Sequence, residues 1–438
     1  MKTYLLAQQV NLTKSILLDS INGLSVKELS QKYNMDIDKV NALIKSIEKK
    51  SKDSEENIKI SSGEKYIEKL VLNISNDCNL ACKYCYANGG CYESEKGYMT
   101  KEIAKISLDR FLNFYDNVKG IQLFGGEPLL NMEVVKFICE YVDEKFEKGE
   151  ISKKPAIGAV TNGVLIDDEF ISLMKKHNVS LTVSLDGNSD VNNSMRMFKD
   201  GTGASEVVEK NIRLLKEELN EPASIQATYN INHINQSISV MDVVRYIIDN
   251  FGTMAHVVPA AGKDEDFLLD NYDEFLKSVD EIFASFEEEN YYDYPLVKKI
   301  IDTLKMRIKG IDHMCPAGLG YYAVSIDGSV YPCFTFTDNE EMLMGNVMDE
   351  NLFSSENFIK IKNQFANRNK NIVDPCNKCF ARKVCSGCVG QYYKETGSID
   401  VLSKSICDLQ KRMIEKVILH IIKLQEKQKD REKLAQGR

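Results

Sequence analysis

The sequence has no tryptophan, only five histidines and no basic excess: 56 lysines and arginines stand against 65 acids, a formal net charge of −9. That balance disfavours a general nucleic-acid binder, which carries surplus basic charge or a strong basic patch. No segment is apolar enough over enough residues to cross a bilayer. The stretch MKTYLLAQQVNLTKS lacks a long apolar core and a small-residue cleavage site, so it does not read as a signal peptide. A cytoplasmic location is therefore expected, with no membrane partner. Disulfides are not expected in that reducing compartment. There is no long internal repeat and no low-complexity tract. The missing tryptophan, beside abundant Lys, Ile and Asn, is a compositional bias without functional content.

What the chain does have is cysteine. Twelve occur, and all but Cys91 and Cys139 sit in tight groups or in the C-terminal third. Such grouping in a reducing compartment points to metal or cluster binding. The remaining composition is 43% hydrophobic and 28% charged over 438 residues, ordinary for a soluble globular chain of roughly two to four domains.

Residues 1–60 read as a small helical, winged-helix-like module. LTKSILLDSI, LSVKELSQKYN and DIDKVNALIKSIEKK have helical spacing, and the last two flank a turn at Asn34–Met35. Residues 51–63 read as a polar linker with a short strand at Ile58–Ile60. Over 66–265 strands and helices alternate. Strand candidates fall at 70–75, 120–124, 156–160, 180–185, 224–229 and 255–259. Amphipathic helices are predicted at 100–115, 131–147, 167–177, 204–218 and 235–250. This pattern predicts an α/β fold with a parallel sheet, a partial (β/α)6 TIM-like barrel short of the eight units of a closed one. Residues 266–310 read as a helical connector, 311–410 as an irregular cysteine-rich domain, and 411–438 as a charged helix.

NDCNLACKYCYA places Cys78, Cys82 and Cys85 on the loop after the first barrel strand. Catalytic groups of such sheets gather at the C-terminal strand ends. Three soft thiolates suit an iron–sulfur cluster with one iron left open. A structural zinc site would want four ligands. The motif and the sheet pattern that follows it resemble the radical S-adenosylmethionine (SAM) superfamily over roughly residues 69–407. The resemblance implies that Cys78, Cys82 and Cys85 hold a [4Fe–4S] cluster whose free iron binds SAM. The reduced cluster then splits SAM to a 5′-deoxyadenosyl radical. It also implies a low-potential electron donor such as flavodoxin or ferredoxin. Gly125, Gly126, Glu127 and Pro128 match the motif that holds the SAM amino group, with Glu127 as acceptor. Tyr84 is the aromatic beside the third cysteine, near the adenine. Thr161, Asn162, Ser184 and Asp186 end the third and fourth strands and border the SAM site, Ser184 and Arg196 being candidates for its carboxylate and ribose. Asn-Gly and Asp-Gly turns alone would also account for those strand ends. Phe124 stands where many relatives carry a polar residue.

The later cysteines resemble a SPASM extension, which houses auxiliary [4Fe–4S] clusters. One cluster would use Cys315, Cys333 and Cys388, and the other Cys376, Cys379, Cys385 and Cys407. The first set has three visible ligands, so its open iron could take a substrate thiolate and fix its sulfur. Cys385 and Cys388 are separated by two residues where relatives usually have three. A zinc-ribbon-like tail is the alternative. Cys139 is expected as a buried small hydrophobe and Cys91 as a loop cysteine.

No catalytic residue is assigned beyond the clusters. The leading expectation is a maturase of a ribosomally made, Cys-rich precursor peptide that forms thioether crosslinks, with residues 1–60 binding a leader peptide by strand addition. Alternatives are an anaerobic sulfatase-maturating, formylglycine-forming enzyme and another SPASM peptide crosslinking or epimerising enzyme. From a different class, an iron–sulfur redox sensor could bind DNA through residues 1–50. Sulfatase maturation ranks second because relatives of that kind carry Asp after the second SPASM cysteine, where this chain has Phe334.

Overall fold

In the computed structural model, residues 65–436 are described apart from 93, 220–222, 262–265, 270, 288–293 and 305–311. Of the earlier residues only Lys27 and Gln31, both helical and exposed, are described. The expected N-terminal module and the strand at Ile58–Ile60 therefore lie outside the described residues.

After a two-residue strand β1 (Tyr66–Ile67), β2 (Lys69–Ser75) buries every residue after Lys69, the mark of a strand covered on both faces. The chain then alternates through α1 (Lys101–Phe114), β3 (Asn117–Val118), β4 (Gly120–Gly125), α2 (Met132–Glu147), β5 (Ala156–Thr161), α3 (Asp168–His177) and β6 (Ser180–Ser184). It continues through α4 (Ser189–Met195), α5 (Ser205–Leu219), β7 (Ser224–Tyr229), α6 (Ile231–Asn235), α7 (Val240–Phe251) and β8 (Ala255–Pro259). Local chemistry sets these boundaries. Asp167 caps α3 by accepting the Phe170 N–H, and three basic residues in its last turn complement the helix dipole. Asn230 caps α6 and Ser239 caps α7, so the helix predicted at 235–250 starts five residues later, at Val240, with the short α6 ahead of it.

Strands β2-β4-β5-β6-β7-β8 are all parallel neighbours and form the expected six-stranded partial barrel. Helices α8 (Asp273–Glu287) and α9 (Pro295–Leu304) follow. The region predicted to be irregular is more ordered than expected. Strand β9 (Tyr321–Val324) pairs parallel to the free side of β2, and β10 (Ser329–Tyr331) and β11 (Gly345–Asn346) extend the sheet antiparallel. The result is one open nine-stranded sheet spanning barrel and cysteine-rich region. Helices α10 (Glu356–Ala366), α11 (Val389–Thr396) and α12 (Lys404–Gln436) complete the chain. β9 is only four residues long and its partner is remote in sequence, so local pattern could not reveal the pairing. Cys139 is fully buried in the core, as expected of a small hydrophobe.

Candidate functional site

The cysteine loop is pinned on two sides. Ala81 N–H donates to Met197 O at 2.7 Å and Lys83 N–H to Met195 O at 3.0 Å, tying the loop to the end of α4 and the segment after it. On the other side, Gly126 N–H donates to Ser75 O and Glu127 N–H to Asp77 O, both at 2.8 Å. This contact explains the two glycines. A Cβ on Gly126 would lie 2.2 Å from Asp77 O, and one on Gly125, whose φ is +137°, would lie 2.2 Å from Ser75 O. Only glycine allows the two backbones this close.

Cys78, Cys82 and Cys85 open onto one cavity of about 510 Å³ at the C-terminal mouth of the barrel. Tyr84, Gly125, Gly126, Thr161, Asn162, Ser184 and Arg196 line it as well. Polar hydrogens reach the sulfurs: Asn162 Nδ2 lies 3.6 Å from Cys78 Sγ, and an Arg196 guanidinium nitrogen 3.9 Å from Cys82 Sγ. Burial pushes the Cys78 thiol up to about 12. None of the twelve cysteines is in a disulfide.

Three of the expected residues support this cavity without lining it. The Glu127 side chain is fully buried, and its carboxylate is taken up by Leu129 N–H (3.0 Å), Thr161 Oγ1 (2.7 Å) and Asn162 N–H (2.7 Å). The carboxylate braces the ends of β4 and β5, and the Gly125–Gly126 backbone faces the cavity. Pro128 starts the turn behind it. Asp186 is also fully buried, bonded to the Tyr84 hydroxyl, to Thr228 N–H at 2.9 Å and, as an ion pair, to Arg196 Nε at 3.2 Å. The Arg196 guanidinium lies over the Tyr84 ring, 5.5 Å from its centroid. Asn192 and His233, which no motif singled out, hold the Asp186 backbone through its N–H and its carbonyl.

The later cysteines separate into two sets. Cys376, Cys379, Cys385 and Cys407 line one small void of about 40 Å³. Lys370 closes its rim by donating to Cys385 O at 2.8 Å. Cys315, Cys333 and Cys388 gather on another side, near enough that Cys388 helps to push up the thiols of both Cys315 and Cys333. Burial is the main cause that pushes Cys315 up to about 11 and Cys333 up to about 12. Cys388, despite its altered spacing, stands in the wall of the same 510 Å³ cavity as the first three cysteines. Phe334 lies against Phe124, with ring centroids 4.7 Å apart, and both line that cavity. Among the described residues no three His, Cys, Asp or Glu converge on a single metal-ion position. Thiols that bind separate irons of a cuboidal cluster need no such convergence, so these donor sets fit clusters better than a lone ion.

Residues 72–236 match the model of the Radical SAM superfamily, and residues 315–380 that of SPASM, an iron–sulfur cluster-binding domain. The chain is a radical SAM enzyme with a SPASM domain. Its cofactors are SAM and a [4Fe–4S] cluster, and its SPASM domain binds auxiliary iron–sulfur clusters. The SPASM match stops before Cys385, Cys388 and Cys407. The radical SAM cyclopropyl synthase TigE of Paramaledivibacter caminithermalis is 29% identical over 390 residues, 82% of this chain and 75% of that one. A cysteine-type anaerobic sulfatase-maturating enzyme of Clostridium perfringens is 24% identical over 73% of this chain and 87% of its own. The fold resembles native anSMEcpe with bound AdoMet and Cp18Cys peptide (TM-score 0.67, 22% identity, 82% of this chain and 99% of that one). It also resembles Streptococcus suis SuiB bound to precursor peptide SuiA (TM-score 0.55, 17% identity, 85% and 81%). No helix among the described residues is long and apolar enough to cross a membrane.

Proposed function

We propose that this radical SAM enzyme modifies a ribosomally made, Cys-containing peptide by joining a cysteine sulfur to a carbon of another residue. The observation that carries the proposal is the position of Cys388. It belongs to a set with only three thiols, and it stands in the wall of the cavity onto which Cys78, Cys82 and Cys85 open. A cluster held by these three thiols would have one iron without a protein ligand, which would suit a substrate thiolate.

In this reading Cys78, Cys82 and Cys85 hold the SAM cluster, Cys315, Cys333 and Cys388 the first auxiliary cluster, and Cys376, Cys379, Cys385 and Cys407 the second. When bound, the first cluster and SAM supply a 5′-deoxyadenosyl radical. The chain's own residues position and shield. The Gly125–Gly126 backbone, Tyr84, Thr161, Asn162, Ser184 and Arg196 frame SAM, while Glu127, Pro128 and Asp186 fix them from behind. Phe124 and Phe334 give the cavity an apolar wall that excludes water from a reactive carbon. Thioether formation removes two hydrogens from the peptide. One leaves as a hydrogen atom, and the other as a proton with its electron passed to an iron–sulfur acceptor. Residues 1–60 would bind the leader peptide, ahead of the barrel at 66–265, the connector at 266–310 and the auxiliary-cluster domain at 311–410.

The named relatives support a peptide substrate: SuiB is bound to a precursor peptide and anSMEcpe to Cp18Cys peptide. TigE, a cyclopropyl synthase, shows that a related chain can close a different bond. Formylglycine formation ranks second. Its relatives match this chain in sequence, yet Phe334 packs against Phe124 where a base would be needed. The test is anaerobic incubation of the cluster-loaded chain with SAM, dithionite and the short Cys-containing peptide encoded beside its gene. A mass loss of two hydrogens with thiols closed to alkylation is expected. An unchanged peptide beside active SAM cleavage contradicts the proposal.

A further inference from the structure

Helix α11 starts directly after Cys388, with Gln391 three residues on and Lys394 three further along the same short helix. All three line the reaction cavity. Lys394 also lines the adjoining mouth, a space of about 650 Å³, and its ammonium sits 3.8 Å from the centroid of the Tyr86 ring. It lies within electrostatic reach of Cys85 from one cluster loop and of Cys333 and Cys388 from the other. The next residue, Glu395, is taken up by the hydroxyls of Ser403 and Ser405. Among the described residues no carboxylate lines the cavity or its mouth, whereas Lys69, Lys83, Arg196 and Lys394 do. In a chain of net charge −9 the site reverses the sign of the whole. Arg196 is paired with Asp186. Among the described residues no carboxylate pairs with Lys394, and the aromatic face it meets compensates a half-buried ammonium far less than a carboxylate does.

We propose that Lys394, assisted by Gln391, recognises a carboxylate on the substrate peptide and so sets which residue is presented for reaction. The inference rests on the peptide-modifying reading above. The carboxylate belongs to an acidic side chain or to the peptide C-terminus. Gln391, one turn nearer Cys388, offers an amide donor and acceptor that suit a backbone peptide group. Both residues are positioning residues.

The test uses the full, cluster-loaded chain with SAM and three fluorescent synthetic peptides of one frame around a single Cys. One has an Asp two residues after the Cys and an amidated end, one has Asn there and an amidated end, and one has Asn and a free C-terminal carboxylate. At least one acidic probe is expected to bind about tenfold more tightly than the neutral one, with the preference shrinking as salt rises. The tighter acidic probe identifies the source of the carboxylate. The preference is expected to persist in Lys394→Arg and to vanish in Lys394→Met. Equal binding of all three probes to the wild type overturns the inference. So does a preference that survives in Lys394→Met, including the case where only the cluster potentials move. Peptide-dependent 5′-deoxyadenosine formation is recorded on the same samples. If it occurs without charge preference, recognition by Lys394 fails and the enzyme reading stands. If no peptide stimulates it, the peptide encoded beside the gene included, the peptide-modifying reading fails instead.

Discussion

Glu127 tests whether burial or hydrogen bonding governs the brace behind the cavity. Its carboxylate is fully buried and receives three protein donors. Burial pushes its pKa up to about 7 against the pull of those donors. An acid whose pKa is higher in the folded chain than in the unfolded one favours folding while protonated. That contribution is complete below its ordinary value of 4.5 and is lost as pH rises through about 7. At ~1.4 kcal/mol per unit the whole effect is about 3 kcal/mol, of which about 2 kcal/mol falls between about pH 5.5 and pH 8. Glu127→Gln is neutral at every pH, so it removes this slope. It also turns one acceptor oxygen into a donor, and leaving one buried donor unpaired costs about 1–3 kcal/mol. The variant should therefore be less stable than wild type near pH 5.5 by about that amount, with a deficit that shrinks by about 2 kcal/mol on reaching pH 8. Anaerobic urea unfolding at the two pH values measures both numbers. A deficit that stays constant or widens at pH 8 refutes the reasoning, because it would mean the donors keep Glu127 ionised throughout.

Three further outcomes are expected. Gly126→Ala places a Cβ against Asp77 O, so the cysteine loop must shift. Overpacking of this kind costs about 1–3 kcal/mol, and SAM cleavage should fall at least about tenfold while circular dichroism keeps its shape; unchanged cleavage would show that the close approach is incidental. Removing iron with a chelator should lower the thermal midpoint, because four thiols around a small void gain their folding energy from what they bind. The fall should be smaller in Cys376→Ala, which starts without that cluster, and an equal fall in both chains counts against a cluster there. Phe124→Ala opens the apolar wall and should uncouple SAM cleavage from peptide modification, raising 5′-deoxyadenosine formed per modified peptide; an unaltered ratio argues against water exclusion by this pair.

The barrel was legible because its strands are apolar runs and its helices are amphipathic, and both signals are local. Cys78, Cys82 and Cys85 were legible for the same reason, as ligands on one short loop. The pairing of Cys315 and Cys333 with Cys388 came from family resemblance, and their proximity in the fold depends on β9 and β10 joining the barrel sheet. The bracing by Glu127 was not legible, because a motif gives residue type and not side-chain direction: three donors 2–35 positions away hold its carboxylate. Gln391 and Lys394 carried a signal that went unused, the spacing of three that continues from Cys388 along a short helix. Asn192 and His233 carried none, since they act on the backbone of a residue that was itself only a turn candidate.

The account stands on the loop of Cys78, Cys82 and Cys85 presenting a SAM-cleaving cluster to the cavity it lines. The most direct measurement is 5′-deoxyadenosine formed anaerobically from SAM by the reduced, iron-loaded chain, compared with Cys82→Ala and Cys376→Ala. The account predicts product from the wild type, none from Cys82→Ala and a clear residual yield from Cys376→Ala. No product from a fully iron-loaded wild type, or equal product from Cys82→Ala, contradicts it.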